Sequence, residues 1–379
     1  MSDRCLLIGD IGGTNARFAL ATPDRPGYHS VLELRCEDFA TADDAISHYL
    51  DTINADSPDA VCLAAAGPVV DDTVKITNNL WDISAAETRE DFGIENVRLL
   101  NDFTAIAYSI PLLTETEVRS IGRHDHDWLP KGNFSVAILG PGTGLGVAGL
   151  CRRDETVVPI TGEGGHVGFA PETEQQLEIL KVLRNQFDRV SAERLIAGSG
   201  LENIYLALRS IRRESGPQLS AAQIFAQREP GNLAAEAVDV FFELLGQVAG
   251  DVALTLGAVD GVYIAGGIAK RYPDLLEESR FRGAFEGKGR RRALMERTPT
   301  RLITYDQPGH GLTDEQVGEH PAGVAIERAL LHVGLEHPDR VGELAETDQG
   351  HRPLLPQRGV LPIAQAALRV LDGIGVEPL

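Results

Sequence analysis

The feature that most constrains this chain is the stretch Cys5–Ala21, which reads CLLIGDIGGTNARFALA. Its pattern predicts an apolar strand, a tight polar turn over Asp10–Asn15 and a second strand. Gly12 and Gly13 permit a left-handed backbone and let the main chain approach a bound group closely. Such a turn can cradle a phosphate chain, with Asp10 placed to face the accompanying metal ion. An ordinary β-hairpin with a polar tip explains the stretch equally well.

The same arrangement occurs again in Ser135–Cys151, which reads SVAILGPGTGLGVAGLC. Glycines alternate through its turn, at Gly140, Gly142, Gly144 and Gly146. Both glycine-rich turns join a strand to a strand, whereas a Rossmann turn joins a strand to a helix. Neither turn contains the lysine of a Walker P-loop. Two such hairpins, each opening an α/β unit, indicate an internal duplication.

Between and after the hairpins, predicted strands and helices alternate. Helical periodicity predicts helices over Ala42–Ile53, Ser191–Ile196 and Leu233–Leu256. The wholly apolar run Ala60–Ala65 predicts a strand buried on both faces, and a further apolar strand, Val97–Leu100, leads directly into a helix. This order predicts an α/β protein with mixed sheets.

The length of 379 residues predicts about two domains. We expect a smaller α/β domain from residues 1–111 together with about 306–334, and a larger α/β domain from residues 112–305. Residues 335–379 would form an atypical C-terminal tail, because much of this segment is rich in charge, proline and glycine.

The amino-acid composition indicates which partners the protein is unsuited to bind and in which compartment it functions. The formal net charge of -21 argues against nucleic acid or an anionic membrane as partner, since both are polyanions. The 4 cysteines are scattered, which makes a disulfide framework or a zinc site improbable and fits a reducing compartment. No apolar run approaches membrane-spanning length, and the first strand begins too early for a signal peptide. We therefore expect a soluble, cytoplasmic protein.

Asp102 lies where a predicted strand meets a predicted helix. It follows the strand Val97–Leu100 and begins the next helix, at the carboxyl edge of the sheet, where α/β sites form. From the residues alone, a helix N-cap is the favoured interpretation of Asp102, because Asp is among the residues preferred at that position. Because a helix N-terminus stabilises negative charge, we expect a low pKa for Asp102.

Eight motifs follow one another along the chain. They are DIGGTNARFAL at Asp10–Leu20, AGPV at Ala66–Val69, TNNLW at Thr77–Trp81, LLNDFTA at Leu99–Ala105, GTGLG at Gly142–Gly146, GEGGHVGFAP at Gly162–Pro171, SAERLIAGSGL at Ser191–Leu201 and IAGGI at Ile264–Ile268. In order and spacing the set resembles the bacterial glucokinase family, within the hexokinase branch of the actin-like ATPase fold. The resemblance runs from the N-terminus to about Gly309.

The resemblance implies a two-domain actin-like ATPase (ribonuclease H-like) fold, with duplicated mixed sheets and a cleft between the domains. It implies an ATP-dependent kinase that requires Mg²⁺ and phosphorylates the 6-hydroxyl of D-glucose. The products would be glucose 6-phosphate and ADP, in the first step of glycolysis. Asp102 would be the catalytic residue, because phosphoryl transfer to an alcohol requires a carboxylate that orients the hydroxyl and accepts its proton late in the transfer. A homodimer is also expected.

The resemblance also assigns site residues. The positions that match the family's sugar site are Asn101, Asp102, Glu163, His166 and Glu193, with Gly67 and Asn78 lining the same cleft. The positions that match its nucleotide site are Asp10, Gly12, Gly13, Thr14 and Asn15 at the β- and γ-phosphates, Gly142, Thr143 and Gly144 from the other domain, and Gly266 and Gly267 beside the adenosine. Asp10 would also face the Mg²⁺ ion. Without the resemblance, His166 would be read as a structural histidine and Glu193 as a solvated charge on a helix.

The C-terminal part departs from the family. The family usually continues after its last strand with P-G-L-x-G and an alanine-rich helix, whereas here Pro308–Gly309 leads into an acidic stretch. Two other functions stay open. One is a related hexose or amino-sugar kinase, because a single repositioned carboxylate changes which hydroxyls are bound. The other is a sugar sensor that binds glucose without turnover.

Overall fold

The computed structural model describes residues 5–22, 28–76, 79, 81–122, 130–154 and 156–304. These residues form two compact units: the first ends at Leu100, and the second contains most of the chain from Asn101 to Thr304. The boundary expected from the sequence lay after residue 111, so the helix that begins at Asp102 groups with the second unit rather than the first. The segments 306–334 and 335–379, and the departure at Pro308–Gly309, lie outside the described residues.

The described part of the first unit is built from strands on two sheets and two helices. In chain order the elements are β1 (Leu6–Ile11), β2 (Asn15–Ala21), β3 (Tyr28–Arg35), α1 (Ala42–Ile53), β4 (Ala60–Ala65), β5 (Val69–Val70), β6 (Thr73–Lys75), β7 (Asp82–Ser84), α2 (Ala85–Phe92) and β8 (Asn96–Asn101). The larger sheet has the strand order β3-β2-β1-β4-β8, and β5, β6 and β7 form a small separate sheet. Strand β1 runs antiparallel to β2 and parallel to β4.

Helix α1 shows how local sequence sets the ends of an element. The Thr41 hydroxyl accepts a hydrogen bond from the Asp44 N–H, and the Asp44 carboxylate accepts one from the Thr41 N–H, which completes a capping box. The helix ends at Asn54, whose φ of 52° lies in the left-handed region that Asn tolerates. Its buried face, which includes Ile46 and Tyr49, packs into the core of the first unit.

The second unit alternates strands and helices around a longer sheet. Its elements are α3 (Asp102–Ser109), β9 (Val118–Ser120), β10 (Phe134–Pro141), β11 (Leu145–Arg153), β12 (Thr156–Gly162), α4 (Glu174–Leu183), α5 (Gly198–Arg212), α6 (Ala221–Ala226), α7 (Leu233–Leu256), β13 (Gly261–Ile264), α8 (Gly267–Arg271), α9 (Pro273–Glu278), α10 (Phe281–Glu286), α11 (Arg292–Arg297) and β14 (Thr300–Ile303). The sheet order is β12-β11-β10-β13-β14-β9.

The two large sheets repeat one topology. In each, the first strand of a glycine-rich hairpin pairs antiparallel with its partner and parallel with a later strand: β1 with β2 and β4, and β10 with β11 and β13. The order β3-β2-β1-β4-β8 therefore corresponds to β12-β11-β10-β13-β14, with β9 added at the edge of the second sheet. This correspondence supports the internal duplication that the hairpins predict.

Helix α7 is the central element of the core in the second unit. The Asn232 side chain caps its start by accepting a hydrogen bond from the Ala235 N–H, and Gly257 ends it with a φ of 64°. The helix packs against α5, α10 and β10. Buried aromatic residues such as Phe241 and Phe242 explain its strongly apolar sequence. Among the described helices, none combines the length and the apolar character needed to cross a lipid bilayer.

The predicted helix over Ser191–Ile196 is wrong. Ser191 forms an isolated β-bridge with Gly168, and the chain continues through turns. The Ala192 N–H donates to the Val167 carbonyl and the Glu193 N–H donates to the Gly165 carbonyl. These long-range hydrogen bonds attach the segment to residues 165–167, and its local bonds, from the Arg194 N–H to the Ser191 carbonyl and from the Leu195 N–H to the Ala192 carbonyl, are those of turns. Glu193 is therefore not a helical residue, contrary to its reading from the sequence alone.

Candidate active site

The first glycine turn joins β1 to β2 in the first unit. The Gly12 N–H donates to the Asn15 carbonyl at 2.9 Å, which closes the turn, and the Cys36 N–H donates to the Thr14 carbonyl at 2.8 Å. A Cβ at Gly12 would meet only the Asn15 carbonyl oxygen, at an ordinary contact distance of 3.5 Å, and Gly12 does not have a positive φ. Gly12 therefore does not use the left-handed backbone that a glycine permits.

Polar side chains line up across three strands beside this turn. Asp10 at the end of β1 is buried and lies directly opposite Arg17 on β2, which in turn pairs with Glu33 on β3. Residues directly opposite each other share one face of a sheet. The Arg17 Nε donates to one Glu33 oxygen at 2.5 Å, and the Asn15 Nδ2 donates to the other at 2.7 Å. Glu33 thus holds two side chains of the turn at once.

The sequence reasoning did not single out Arg17 or Glu33. The signal that could have found Arg17 is the spacing of two polar residues, Asn15 and Arg17, on an otherwise apolar strand, since residues two apart face the same side. Glu33 becomes visible only once the register of β2 against β3 is known. Chemically, Arg17 adds a guanidinium, which suits phosphate oxygens, to the face that carries Asp10.

The two other first-unit residues assigned to the sugar site are Gly67 and Asn78. A Cβ at Gly67 would lie 2.8 Å from the Lys75 carbonyl oxygen, so close packing against β6 by itself requires a glycine here. Asn78 lies outside the described residues. Trp81, which the matching motif also contains, is a core residue whose indole N–H donates to the Phe39 carbonyl at 3.1 Å.

The second glycine turn joins β10 to β11 and has exposed Thr143 at its tip. The Gly142 N–H donates to the Gly144 carbonyl at 2.8 Å, and the Gly142 carbonyl accepts from the Gly198 N–H at 2.9 Å. Gly266, at the end of β13, packs against this hairpin: its φ is 85°, and a Cβ there would lie 2.6 Å from the Pro141 carbonyl oxygen. Gly266 therefore has two steric reasons to be glycine, and Gly267 begins α8 directly after it.

The outer glycines of this turn make room for an aromatic ring. Gly140 and Gly146 form a directly opposed pair on β10 and β11, and the Phe103 side chain of α3 lies against both. A Cβ at Gly140 would lie 2.5 Å from the Phe103 Cζ, and a Cβ at Gly146 would overlap the ring. Two of the four alternating glycines therefore serve packing inside the protein, and only Gly142 and Gly144 belong to the turn itself.

Glu163, His166 and Glu193 are brought together in the second unit. The His166 Nε2 lies 4.0 Å from a Glu163 oxygen, and the His166 Nδ1 lies 3.9 Å from a Glu193 oxygen. The imidazole is thus placed between two carboxylates. Its two ring nitrogens and the four carboxylate oxygens form a compact set of donors and acceptors of the kind that fixes several hydroxyl groups. Glu163 and His166 are close in the sequence and Glu193 comes much later, and all three were assigned to the sugar site.

Close packing on β11 holds this cluster in place. Gly164 and Gly165 lie against β11: a Cβ at Gly164 would lie 2.8 Å from Val147, and one at Gly165 would overlap the Leu145 carbonyl. The other Glu193 oxygen accepts a hydrogen bond from the Leu145 N–H at 3.0 Å. Glu193 therefore contacts the second glycine turn with one oxygen and faces His166 with the other.

Asn101 and Asp102 both serve the start of α3. The Asn101 side-chain oxygen caps the helix by accepting from the Phe103 and Thr104 N–H groups, at 3.0 and 3.3 Å. The Asp102 carboxylate also accepts from the Phe103 N–H, at 2.8 Å. The N-cap role considered for Asp102 therefore belongs to Asn101, and Asp102 is the first residue of the helix.

The low pKa expected for Asp102 is wrong. The pKa of the Asp102 carboxyl is raised to about 6, chiefly because burial disfavours its charged form. The Phe103 N–H lowers the pKa and the negative charge of Glu163 raises it, and the balance favours the raised value. A carboxylate with this pKa is mostly ionised at neutral pH, and it accepts a proton more readily than an ordinary Asp.

Metal binding was predicted at Asp10. No group of three or more His, Cys, Asp or Glu side chains able to hold a metal ion occurs among the residues that the structure describes. Mg²⁺ in phosphate-binding sites usually keeps several waters and takes one or two carboxylates together with the substrate phosphates. A single buried carboxylate at the end of β1 fits that mode of binding better than it fits a metal cage built from protein side chains alone.

Comparison with known proteins identifies the family. The family model described as Glucokinase matches residues 7–313. The chain is 42% identical to a glucokinase of Caulobacter sp. (strain K31), over 84% of this chain and 96% of the relative. It is 40% identical to a glucokinase of Chromohalobacter salexigens, over 82% of this chain and 95% of the relative.

Solved structures agree. Glucokinase from an Antarctic psychrotroph superposes with a TM-score of 0.74 at 32% identity, over 88% of this chain and 99% of that chain. A ROK-family glucokinase from Streptomyces griseus, in complex with glucose and AMPPNP, has a TM-score of 0.53 at 18% identity, over 86% of this chain and 97% of that chain, and shows the fold alone. The predicted actin-like ATPase fold with mixed sheets is confirmed. By sequence and by structure, the chain belongs to the glucokinase family.

Proposed function

We propose that this chain transfers the γ-phosphoryl group of ATP to the 6-hydroxyl of D-glucose, giving glucose 6-phosphate and ADP. This is the first step of glycolysis. The observation that carries the proposal is the cluster of Glu163, His166 and Glu193, in the same unit as the Asp102 carboxyl at the start of α3. Membership of the glucokinase family supports the substrate, and the raised pKa supports the chemistry.

The cluster suits a sugar with several adjacent hydroxyl groups. Carboxylate oxygens of Glu163 and Glu193 accept hydrogen bonds from hydroxyls, and the His166 imidazole can donate or accept. All three side chains keep solvent-accessible surface, which a ligand can cover. Asn101 and Asp102 complete the proposed sugar site, with Gly67 and Asn78 as further members.

Asp102 acts as the proton acceptor. As the hydroxyl oxygen forms its bond to the γ-phosphorus, the bond from that phosphorus to the β–γ bridging oxygen breaks, and ADP leaves with the bridging oxygen. The proton of the hydroxyl passes to the Asp102 carboxylate. Phosphoryl transfer depends mainly on positioning and on charge neutralisation, so the raised pKa of Asp102 contributes one part of the catalysis.

The two glycine turns are the proposed nucleotide site. Asp10, Gly12, Gly13, Thr14 and Asn15 would hold the β- and γ-phosphates, Gly142, Thr143 and Gly144 would contact the phosphate chain, and Gly266 and Gly267 would lie beside the adenosine. Arg17 joins this proposal because it lies opposite Asp10 and is fixed by Glu33. Mg²⁺ held by Asp10 would neutralise the phosphate charge.

A hexose panel tests the proposal. Release of ADP is measured with ATP and D-glucose, D-mannose, D-fructose, N-acetylglucosamine or N-acetylmannosamine, with and without Mg²⁺, and the phosphorylated position is assigned by NMR. We expect turnover with glucose, modification at the 6-position and dependence on Mg²⁺. A preference for an amino sugar would assign the chain to a related kinase, and glucose binding in calorimetry without turnover would identify a sensor.

Assembly and location are part of the same proposal. Val158 and Ile160 on β12 and Val167 after it are exposed apolar side chains in the second unit, which supports a homodimer formed through this surface. Light scattering at several protein concentrations tests the dimer, with Val167→Glu expected to give monomers. The 4 cysteines are free thiols, which supports the reducing cytoplasm as the compartment.

A further inference from the structure

Phe103 connects the helix that carries Asp102 to the second glycine turn. Its side chain is buried, with 4% of its surface exposed, and it lies against Gly140 and Gly146 at the base of that turn. The ring occupies the space that two missing side chains leave open on β10 and β11. Helix α3 packs against both of these strands.

The main chain of the same residue fixes the Asp102 carboxylate. The Phe103 N–H donates to the Asp102 Oδ1 at 2.8 Å and to the Asn101 Oδ1 at 3.0 Å. A shift of the Phe103 ring would therefore move the N–H group that orients the carboxylate. Phe103 therefore makes both the ring contact with the two glycines and the hydrogen bond to Asp102.

We propose that Phe103 is a positioning residue, whose ring anchors the first turn of α3 on the β10–β11 hairpin and so holds the Asp102 carboxylate in place for proton transfer. This inference rests on the proposed function, in which Asp102 accepts the proton of the sugar hydroxyl. Phe103 itself touches neither substrate in the proposal.

The surroundings of Asp102 give a readout that stability alone would not move. Glu163 is the charged side chain whose field acts on the Asp102 carboxyl, and beyond it lie His166, 4.0 Å from Glu163, and Glu193. Burial is the largest cause of the raised pKa of Asp102. Loss of the ring lets water approach the carboxylate, so its pKa falls toward the ordinary value of about 3.9.

The sign of the kinetic effect follows. The carboxylate must be ionised to accept a proton, so activity rises with pH through the pKa of Asp102. In the wild type we expect this rise, which is the acid limb of the pH profile, to be centred near pH 6. When the pKa falls, the rise moves to lower pH. If Phe103 only filled the core, its loss would lower the stability of the protein and would not change the pH at which activity rises.

The first experiment compares Phe103→Leu with Phe281→Leu. Phe281 is also fully buried in the second unit, stacks on Phe285 and lies in α10, away from α3. Turnover is measured from pH 5 to pH 9, together with the KM for glucose and thermal unfolding. For Phe103→Leu we expect about a tenfold loss of kcat, a KM for glucose within about threefold of wild type, and an acid limb about one pH unit lower. The control should lose stability and keep the wild-type limb.

A second pair of variants changes the hairpin instead. Gly146→Ala places a methyl group against the Phe103 ring, whereas Gly149→Ala, on the same strand, meets the flexible end of Leu256 at 3.0 Å. Gly146→Ala should reproduce the shift of the acid limb with Phe103 intact, and Gly149→Ala should not.

Failure of this proposal can be told apart from failure of the proposed function. If Asp102→Asn keeps wild-type turnover, Asp102 is not the proton acceptor and both fail. If Asp102→Asn is inactive while Phe103→Leu and Gly146→Ala keep the wild-type acid limb and kcat, only the role of Phe103 is overturned.

Discussion

The two glycine turns occupy the same place in two sheets of matching strand order, yet different forces hold them. The first turn is flanked by polar contacts, in which Glu33 binds the side chains of Asn15 and Arg17. The second also has polar contacts, with Gly198 and Glu193, but its base is held by packing, because Phe103 fills the space over Gly140 and Gly146. The duplicated topology therefore fixes where a turn lies but leaves open how it is kept there.

The comparison also shows that the glycines of a glycine-rich turn can differ in whether packing requires them. In the first turn, Gly12 has room for a side chain; in the second, Gly146 has none because an aromatic ring lies against it. A count of glycines would rank the second turn as the better phosphate cradle. The structure shows that two of those glycines make room for the internal packing of helix α3.

The largest expected effect tests whether Asp102, on the helix that packs against the second turn, accepts the proton in the reaction. Asp102→Asn keeps the size of the side chain and its hydrogen bond to the Phe103 N–H but removes the proton acceptor. We expect kcat to fall about a thousandfold, with glucose affinity in calorimetry nearly unchanged. A variant with near-normal turnover would remove Asp102 from the mechanism.

The next effect compares the two turns directly. Gly146→Ala should lower the free energy of unfolding by about 3 kcal/mol, since overpacking displaces the ring. Gly12→Ala should change it by less than about 0.5 kcal/mol, because the new Cβ meets only an ordinary contact. Chemical denaturation of both variants measures the difference. Equal losses of stability would break the distinction between a packed turn and a polar turn.

A smaller effect concerns the stability cost of a partly buried carboxylate whose pKa is raised. The pKa of Asp102 is about 6 in the folded protein and about 3.9 in the unfolded chain. The free energy of unfolding is therefore highest when Asp102 is protonated, and it decreases as pH rises from about 4 through about 6. The Asp102→Asn variant has no titrating group at this position and does not lose stability in this way. A rise in pKa of about two units corresponds to about 3 kcal/mol. Because Asp102 is only partly buried, we expect the variant to be more stable than wild type at pH 8 by about 2 kcal/mol, and this gap should shrink as pH falls toward 4. A gap independent of pH would contradict the raised pKa.

The smallest effect tests the polar turn. Glu33→Ala removes the carboxylate that holds Asn15 and Arg17, and we expect the KM for ATP to rise about fivefold, or about 1 kcal/mol, because the pair is half-exposed. The KM for glucose should stay unchanged. Glu37→Ala, which removes an exposed partner of Arg35, is the matched control. An equal rise in both KM values would show a general loss of structure.

Much of the fold could be predicted from the sequence. Periodicity gave the bounds of α1, β4 and α7 as the structure has them, because each is buried along a face or throughout and so carries a clear pattern. The region around Ser191 failed because distant backbone partners at Gly165 and Val167 override its local helical pattern.

The closeness of three candidate residues could be predicted from the motifs, whereas the pKa of Asp102 could not. Glu163, His166 and Glu193 come together as the motifs imply, and their untested roles stay predictions. The raised pKa of Asp102 could not be foreseen, because it depends on how deeply α3 is packed rather than on the helix terminus alone. Glu33 and Phe103 were missed because strand register and tertiary packing, rather than local pattern, define their partners.

The position of Glu193 has a consequence for how the two substrates would influence each other. One of its oxygens accepts the Leu145 N–H at the second turn, and the other faces His166. A ligand that draws this carboxylate toward the sugar site must also alter the end of the turn. By thermodynamic reciprocity, whatever factor glucose imposes on the affinity for ATP, ATP must impose on the affinity for glucose. Selectivity for the sugar and affinity for the nucleotide would then change together whenever this one side chain is altered.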